Sequence, residues 1–275
     1  MSRRVRVATA LVMAPAAIAA VLLLPTPLLA ALIAGLMMLG LWEWALLSGT
    51  PAPTSRAAYL AANVAMMTAL AWAAGSGMGV LPLAAYVGVA WWLLVLAWLT
   101  QFDFARVDNV AARALKLLAG SLSVIPAWAA LCWLHIGLPN GHIWALYALL
   151  IVWLADTGAY FVGVRFGKHK LAPRISPGKS WEGFAGGLIA TALLAVAGLP
   201  VLGLDWKSLP SLLLLTVVTA LFSVAGDLFE SLLKRHAGAK DSSHLIPGHG
   251  GVLDRVDSLL AALPIFAVGK HWLGL

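Results

Sequence analysis

Apolar stretches of about 20 residues follow one another along the whole chain, and each is long enough to cross a bilayer as a helix. The sequence is 62% hydrophobic and only 11% charged, whereas about a quarter of the residues in soluble domains are charged. We therefore predict an all-α, polytopic membrane protein that forms one integral membrane domain over residues 1–275. The nine predicted transmembrane helices lie near residues 7–24, 28–48, 57–74, 79–99, 114–136, 142–163, 182–202, 209–230 and 252–273.

The distribution of lysine and arginine predicts the orientation of these segments. Apolar segments continue to the C-terminus, so the basic and apolar start of the chain is interpreted as an uncleaved first span and not as a signal peptide. With a cytoplasmic N-terminus, only Lys207 and Lys270 of the 18 lysines and arginines lie on the outer side. The positive-inside rule therefore favours this orientation. The net charge of +7 fits cytoplasmic loops and anionic headgroups, and we expect no nucleic-acid partner.

Four acidic residues mark the adjoining ends of the last two segments. Asp227 and Glu230 are three residues apart, as are Asp254 and Asp257, so each pair shares one face of a helix. A carboxylate inside a span costs about 2.5–3.5 kcal/mol on insertion scales, so a cluster of them needs a compensating partner. Cys132 is the only cysteine. Oxygen ligands without cysteine favour Mg²⁺, which takes one or two carboxylates and completes its shell with substrate phosphates.

An ion-pair network is the alternative explanation for these acids. In that arrangement Arg235 and Arg255 would neutralise the carboxylates, and the sequence alone leaves both explanations equally open. Three further acids, Glu43, Asp156 and Glu182, are predicted on the same side of the membrane.

A second polar stretch reads GVRFGKHKLAPRISPGKSWEG. Its basic and hydroxyl side chains offer donors for phosphate oxygens, and its glycines allow the backbone to approach a ligand closely. An ordinary positively charged cytoplasmic loop is the alternative. Acids for a metal and bases for phosphates on one face together indicate phosphoryl or nucleotidyl transfer. The candidate phosphate-binding residues are Lys168, Arg174, Ser176, Lys179 and Ser180.

The stretch SLLKRHAGAKDSSHLIPGHGGVLDRVD, residues 231–257, resembles the signature of the phosphatidate cytidylyltransferases, also called CDP-diacylglycerol synthases. Residues 155–183 resemble the second characteristic block of the same family. The two blocks cover the C-terminal half of the chain, whereas the N-terminal half matches only as a run of apolar helices. The matching signature residues are Ser231, Lys234, Arg235, Lys240, Asp241, His249, Gly250, Gly251, Asp254, Arg255 and Asp257.

The resemblance implies that CTP and phosphatidic acid are converted into CDP-diacylglycerol and pyrophosphate. It implies Mg²⁺ bound by Asp227 and Asp254, with K⁺ as a second cation, in a homodimer embedded among membrane lipids. The site would open to the cytoplasm and the inner leaflet of a bacterial inner membrane. Residues 137–275 would form the catalytic half, and residues 1–136 a scaffold for lipid and dimer contacts.

For this reaction we hypothesise a direct in-line attack of a phosphatidate phosphate oxygen on the α-phosphorus of CTP. Lys168, Arg174 and Lys179 would hold the triphosphate or the pyrophosphate leaving group. Lys234, Arg235 and Arg255 would bind the lipid phosphate or orient the acids. His249 would have a positioning role, because phosphatidate is already an anion and needs no strong general base. The expected catalytic residues are Asp227, Asp254, Lys179 and Asp257, and the expected substrate-binding residues are Lys168, Arg174, Ser176, Ser180, Lys234, Arg235, Lys240, Asp241, His249 and Arg255.

Two other functions fit the sequence less well. A transferase that consumes CDP-diacylglycerol would carry a D-G-x-x-A-R core, and this string does not occur. A transporter would place polar groups near the bilayer midplane in paired repeats. Here the charged residues are predicted at one face of the membrane.

Overall fold

The computed structural model describes residues 3–137, 139–246 and 250–275, with side-chain positions from Val12 onward within those ranges. A short β-hairpin interrupts the helices, and a 3-10 turn at Trp206–Ser208 precedes the eighth helix. The elements of the described residues are α1 (Arg3–Leu23), α2 (Thr26–Leu47), α3 (Pro53–Gly75), α4 (Val80–Leu99), α5 (Val110–Ile136), α6 (Gly141–Phe166), β1 (Lys170–Ala172), β2 (Ser176–Ser180), α7 (Trp181–Val201), α8 (Leu209–His236) and α9 (Leu253–Leu273).

The predicted all-α membrane architecture is confirmed. Within the described ranges, the eight helices α2 to α9 are long and apolar enough to cross a membrane, and Val12–Leu23 of α1 is a shorter apolar helix. Helix α8 ends at His236, beyond the predicted end of its segment at residue 230. Its last turn carries Lys234, Arg235 and His236, where the helix dipole favours cations. Glu230 and Lys234 are therefore helical and share the face of Asp227, at successive intervals of three and four residues.

The segment between α6 and α7 contains structure that the sequence did not indicate. Strands β1 and β2 are antiparallel, and an irregularity in register separates the pair Lys170–Ser180 from the pair Ala172–Ser176. The strands have three and five residues and no alternating apolar pattern, so a loop was the natural expectation. Ser180 ends β2 and caps α7, since its hydroxyl accepts a hydrogen bond from the backbone N–H of Gly183 (3.1 Å). The hairpin therefore places Lys179 next to the start of α7.

Phe229 of α8 lies at the centre of an aromatic cluster. It is fully buried, and the rings of Trp44 in α2 and of Trp91, Trp92 and Trp98 in α4 lie 5.2 to 6.1 Å away between centroids. All four pairs are tilted or edge-on, the arrangements that aromatic rings prefer. This packing holds the acidic section of α8 against helices of the N-terminal half.

Helices α6 and α7 approach each other along a seam of glycines. A Cβ atom added to Gly187 would lie 2.7 Å from the backbone oxygen of Ala155, and one added to Gly183 would lie 2.8 Å from that of Ala159. Small residues allow the backbones of membrane helices to pack this closely. The seam therefore sets how near α6 lies to the start of α7.

Substituting Gly187→Ala should destabilise the protein by about 1–3 kcal/mol, the usual cost of overpacking, because a backbone carbonyl cannot rotate away from the new methyl group. Reversible unfolding in detergent micelles measures the change. Gly35→Ala in α2 is the matched control, because nothing lies within 4 Å of its added Cβ. Equal effects of the two substitutions would contradict the close contact between α6 and α7.

Candidate active site

The C-terminal part of α8 and the first turns of α9 meet with their backbones in contact. A Cβ atom added to Gly226 would lie 2.5 Å from the backbone oxygen of Asp257 and 3.1 Å from the Cα of Ser258. Only glycine permits this approach. Because Asp227 directly follows Gly226, the contact places Asp227 and Asp257 within electrostatic range of each other.

Asp227 lines a cavity of about 330 Å³ between α6, β2, α7 and α8. Lys179 at the end of β2 places its Nζ 2.6 Å from Oδ2 of Asp227, and the two side chains keep 24% and 28% of their surface exposed. The hydroxyl of Ser231 donates to Oδ1 of Asp227 (3.2 Å). Asp156 of α6 is the third charged residue on the wall, and most of the remaining lining is apolar. An ion pair that a ligand can reach therefore sits in an otherwise apolar cavity.

Asp254, in the first turn of α9, is almost buried, with a side chain that is 6% exposed. Its Oδ1 lies 2.6 Å from Nζ of Lys234, and the same ammonium group contacts the buried Glu230. Its Oδ2 accepts hydrogen bonds from the backbone N–H of Gly251 (2.8 Å) and from both the N–H (3.0 Å) and the hydroxyl (2.8 Å) of Ser242. Both carboxylate oxygens are thus already bonded within the protein.

Acidic side chains outnumber basic ones in this region. One oxygen of Glu230, Oε1, is buried and has no hydrogen-bond partner among the described residues. Asp257 accepts a hydrogen bond from the adjacent Ser258 N–H (2.7 Å) and lies within range of the charges of other acids. The exposed Arg255 adds a more distant positive charge. The acids are Asp156, Asp227, Glu230, Asp254 and Asp257, and the ion-paired ammonium groups belong to Lys179 and Lys234.

This donor set fits a hard divalent cation that shares its ligands with a substrate. Within residues 3–137, 139–246 and 250–275, no three His, Cys, Asp or Glu side chains form a ready-made metal centre. Mg²⁺ does not require one, because it commonly uses one or two carboxylates together with phosphate oxygens. Asp227 presents the more accessible carboxylate, whereas Asp254 would have to exchange a present hydrogen bond for a metal.

The alternative prediction, in which Arg235 and Arg255 pair with the acids, is wrong, because Lys179 and Lys234 form the ion pairs. Arg235 instead donates to the backbone oxygens of Ile175 (3.1 Å) and Ala239 (3.2 Å), and Arg255 is exposed and acts on Asp156 only through its more distant charge. Lys179 of β2 lies close to Asp227, and Lys234 in the last turn of α8 lies close to Asp254. Arg235 thus ties the hairpin to the loop after α8.

Arg174, at the tip of the hairpin, is held by the loop between α4 and α5. Its Nη2 donates to Asp103 (3.1 Å), and its guanidinium lies 4.2 Å from the ring centroid of Phe102. Arg106 donates to the other carboxylate oxygen of Asp103 (2.9 Å). These hydrogen bonds, first that of Arg106 and then that of Arg174, hold the pKa of Asp103 below its ordinary value. A phosphate that reached Arg174 would have to compete with this carboxylate.

The remaining predicted substrate-binding residues are more dispersed. Lys168 is exposed, and its backbone N–H donates to Glu182 (3.1 Å). Lys240 and Asp241 are exposed in the loop after α8. Ser176 is half-buried and Ser180 is buried; His249 lies outside the described residues.

Sequence reasoning assigned no role to Glu43 of α2 or to Asp103. Glu43 is fully buried and accepts hydrogen bonds from residues of the loop between α8 and α9. A carboxylate inside an apolar helix is itself a functional signal. The partners of Glu43 lie about 200 residues further along the chain, so the sequence does not reveal them. Asp103 is an exposed loop residue, and nothing in the sequence around it indicates a contact with Arg174.

Comparisons with known proteins identify the family of the chain. A model of the cytidylyltransferase family matches residues 4–271. A phosphatidate cytidylyltransferase of Pseudomonas aeruginosa is 43% identical over 263 residues, which cover 95% of this chain and 94% of that protein. One from Haemophilus influenzae is 37% identical, with 95% and 96% covered.

A shorter match shows a higher identity. A phosphatidate cytidylyltransferase of Staphylococcus haemolyticus is 47% identical over 129 residues, which cover 47% of this chain and 49% of that protein. The full-length matches and the family model together decide between the classes of function that the sequence left open. The chain belongs to the phosphatidate cytidylyltransferase family, the transferases of CDP-diacylglycerol synthesis.

Proposed function

We propose that this protein joins CTP and phosphatidic acid to form CDP-diacylglycerol and pyrophosphate. A phosphate oxygen of phosphatidate forms a bond to the α-phosphorus of CTP, and the bond from that phosphorus to the bridging oxygen of the β-phosphate breaks. Pyrophosphate leaves with the electron pair of that bond. The observation that carries the proposal is the accessible pair of Lys179 and Asp227 in a largely apolar cavity between candidate membrane helices.

Lys179 is the residue best placed to bind the triphosphate. Its ammonium group is only 2.6 Å from Asp227, so it can transfer part of its hydrogen bonding to an arriving phosphate without moving far. A positive charge held in an apolar, water-poor site stabilises developing negative charge more strongly than the same charge in water. Lys179 would therefore stabilise the transition state in addition to binding the substrate.

Asp227 and Asp254 are the residues that would hold a divalent cation, as the family resemblance implies. When bound, Mg²⁺ would neutralise phosphate oxygens and lower the barrier to displacement. Lys234 holds the carboxyl groups of Glu230 and Asp254 in place, and Asp257 lies within electrostatic range of Asp227. K⁺ is proposed as a second cation on the resemblance alone.

The shape of the cavity suits an amphiphilic substrate. Its wall is apolar between α6 and α7 and carries Asp156, Lys179 and Asp227. An anionic headgroup can contact the lysine while glycerol and acyl groups lie against the helices. No general base is required, because the attacking phosphate oxygen already carries negative charge.

The setting of the reaction follows from the charge distribution of the loops. We propose a cytoplasmic N-terminus and a site that opens to the cytoplasm and the inner leaflet of a bacterial inner membrane. The loop after α8 and the hairpin then face the compartment that holds CTP. A homodimer with surrounding membrane lipids is proposed on the family resemblance.

The reaction is tested with purified protein in mixed micelles, omitting CTP, phosphatidic acid or Mg²⁺ in turn. Pyrophosphate release and CDP-diacylglycerol formation should require all three. Asp227→Asn should abolish both, because it removes the accessible carboxylate charge, while size-exclusion behaviour stays normal. Full Mg²⁺-dependent turnover by Asp227→Asn would show that the metal assignment is wrong.

Replacing Lys179→Met should lower kcat/KM for CTP by about 100-fold, the usual loss when one transition-state donor is removed. The linear apolar side chain keeps much of the lysine volume, so packing changes little. Lys207→Met is the matched control, because Lys207 is exposed in the turn before α8 and should leave the rate unchanged. A similar rate for Lys179→Met and the control would remove Lys179 from the mechanism.

The orientation is tested with single added cysteines at the two ends of α8. His244→Cys should react with a membrane-impermeant maleimide in inside-out vesicles, and Lys207→Cys in right-side-out vesicles, because both positions are exposed. The native Cys132 is buried and provides a low background. The reverse labelling pattern would overturn the proposed orientation.

A further inference from the structure

Glu43 connects the N-terminal half of the chain to the loop between α8 and α9. Its side chain is fully buried, and its two oxygens accept four hydrogen bonds. Ser242 Oγ (3.0 Å) and Leu253 N–H (2.7 Å) donate to Oε2, while Ser243 Oγ (2.5 Å) and Val252 N–H (3.0 Å) donate to Oε1. All four donors belong to the segment that carries the family signature.

Two of these donors are backbone groups at the start of α9. The first N–H groups of a helix have no partner within the helix, and Val252, the N-cap residue, supplies no side-chain hydrogen bond. Glu43 therefore caps α9 from a different helix. A negative charge is favourable at this position because of the helix dipole.

Ser242 links Glu43 to Asp254. Its hydroxyl lies 3.0 Å from Oε2 of Glu43 and 2.8 Å from Oδ2 of Asp254. A hydroxyl group donates one hydrogen, so it is shared between the two carboxylates, while the Ser242 N–H remains on Asp254 (3.0 Å). A change in the position of Glu43 would therefore move Ser242 and change its hydrogen bond to Asp254.

The two carboxylates also explain two glycines of the signature. A Cβ atom at Gly251 would lie 2.5 Å from both oxygens of Glu43 and 2.0 Å from Ser242 Oγ. At Gly250 the φ angle is +80°, a value that favours glycine, and an added Cβ would lie 2.6 Å from Oδ2 of Asp254. Glu43 therefore imposes a requirement on a residue that lies far away in the chain.

We propose that Glu43 is a positioning residue for the reaction: it fixes the start of α9 and the loop before it, and thereby the orientation of Asp254. The inference rests on the proposed function for its catalytic consequence. Glu43 acts through Ser242 and the backbone of α9, and it touches no reacting atom in this role. The N-terminal half of the chain thereby contributes to the catalytic arrangement.

Glu43→Gln tests the proposal, because it keeps the size of the side chain and replaces one acceptor oxygen with an NH₂ group that faces donors. We expect kcat to fall by about 10- to 100-fold, as for other residues that orient metal ligands. The Mg²⁺ concentration for half-maximal rate should rise, which a purely structural loss of folded protein would not cause. Asp205→Asn, an exposed acid before α8, is the matched control and should change neither quantity.

Hydrogen exchange supplies a readout that does not depend on activity. The amides of residues 241–246 and 250–253 should exchange faster in Glu43→Gln than in the original protein, whereas those of α5 should not change. Ser242→Ala should produce the same two effects, and in the double variant the losses in kcat should be less than additive, because both changes break one link. If Glu43→Gln fails to fold, Ser242→Ala still tests whether the link from Glu43 to Asp254 matters for kcat and for hydrogen exchange.

The outcomes separate this inference from the proposed function. Unchanged exchange in a folded Glu43→Gln variant would overturn the role of Glu43 in holding the loop. Faster exchange with unchanged kcat and Mg²⁺ dependence would overturn its positioning role. If the original protein formed no CDP-diacylglycerol, the proposed function would fail and the catalytic role of Glu43 with it, while exchange would still decide whether Glu43 holds the loop.

Discussion

A carboxylate in an apolar helix bundle must have donors or a cation beside it, and this requirement organises the structure. A buried charge without a partner costs several kcal/mol. Asp227 is matched by Lys179, Asp254 by Lys234 and three further donors, and Glu43 by four donors from the loop before α9. The partners of Asp227 and Glu43 come from elements that are distant in the chain, whereas those of Asp254 come from α8 and the loop that precedes α9. The polar interactions therefore fix how the apolar helices meet at this end of the bundle.

Apolar packing also determines where the acids lie. The tryptophans of α2 and α4 enclose Phe229, and the contact at Gly226 sets the spacing of α8 and α9. The glycine seam around Gly187 brings α6 against α7, so that Asp156 and Lys179 share one cavity. Rigid helices with small contact residues hold such a site more accurately than loops would. The N-terminal helices are thus part of the framework of the site.

Much of the fold could be predicted, because a span of apolar residues long enough to cross a membrane has almost no alternative to a helix. The candidate site residues were proposed from the signature, and the spacing of Asp227 and Glu230 placed them on one helix face. The partners were not predicted. Arg235 and Arg255 are near the acids in the sequence and were considered as their ion-pair partners, but Arg235 donates hydrogen bonds to backbone oxygens instead. The hairpin was missed because strands of three and five residues carry no reliable periodic signal.

The sequence by itself determined the helical membrane architecture, the family and the residue types available for binding a cation and phosphates. These properties depend on hydrophobic length and on local order of residues, which a linear sequence contains. Only the tertiary structure decided that Lys179 faces Asp227, that Asp103 holds Arg174, and that Glu43 caps α9. Such pairs form between helices whose relative rotation and depth depend on the packing of many side chains at once, so no local pattern in the sequence records them.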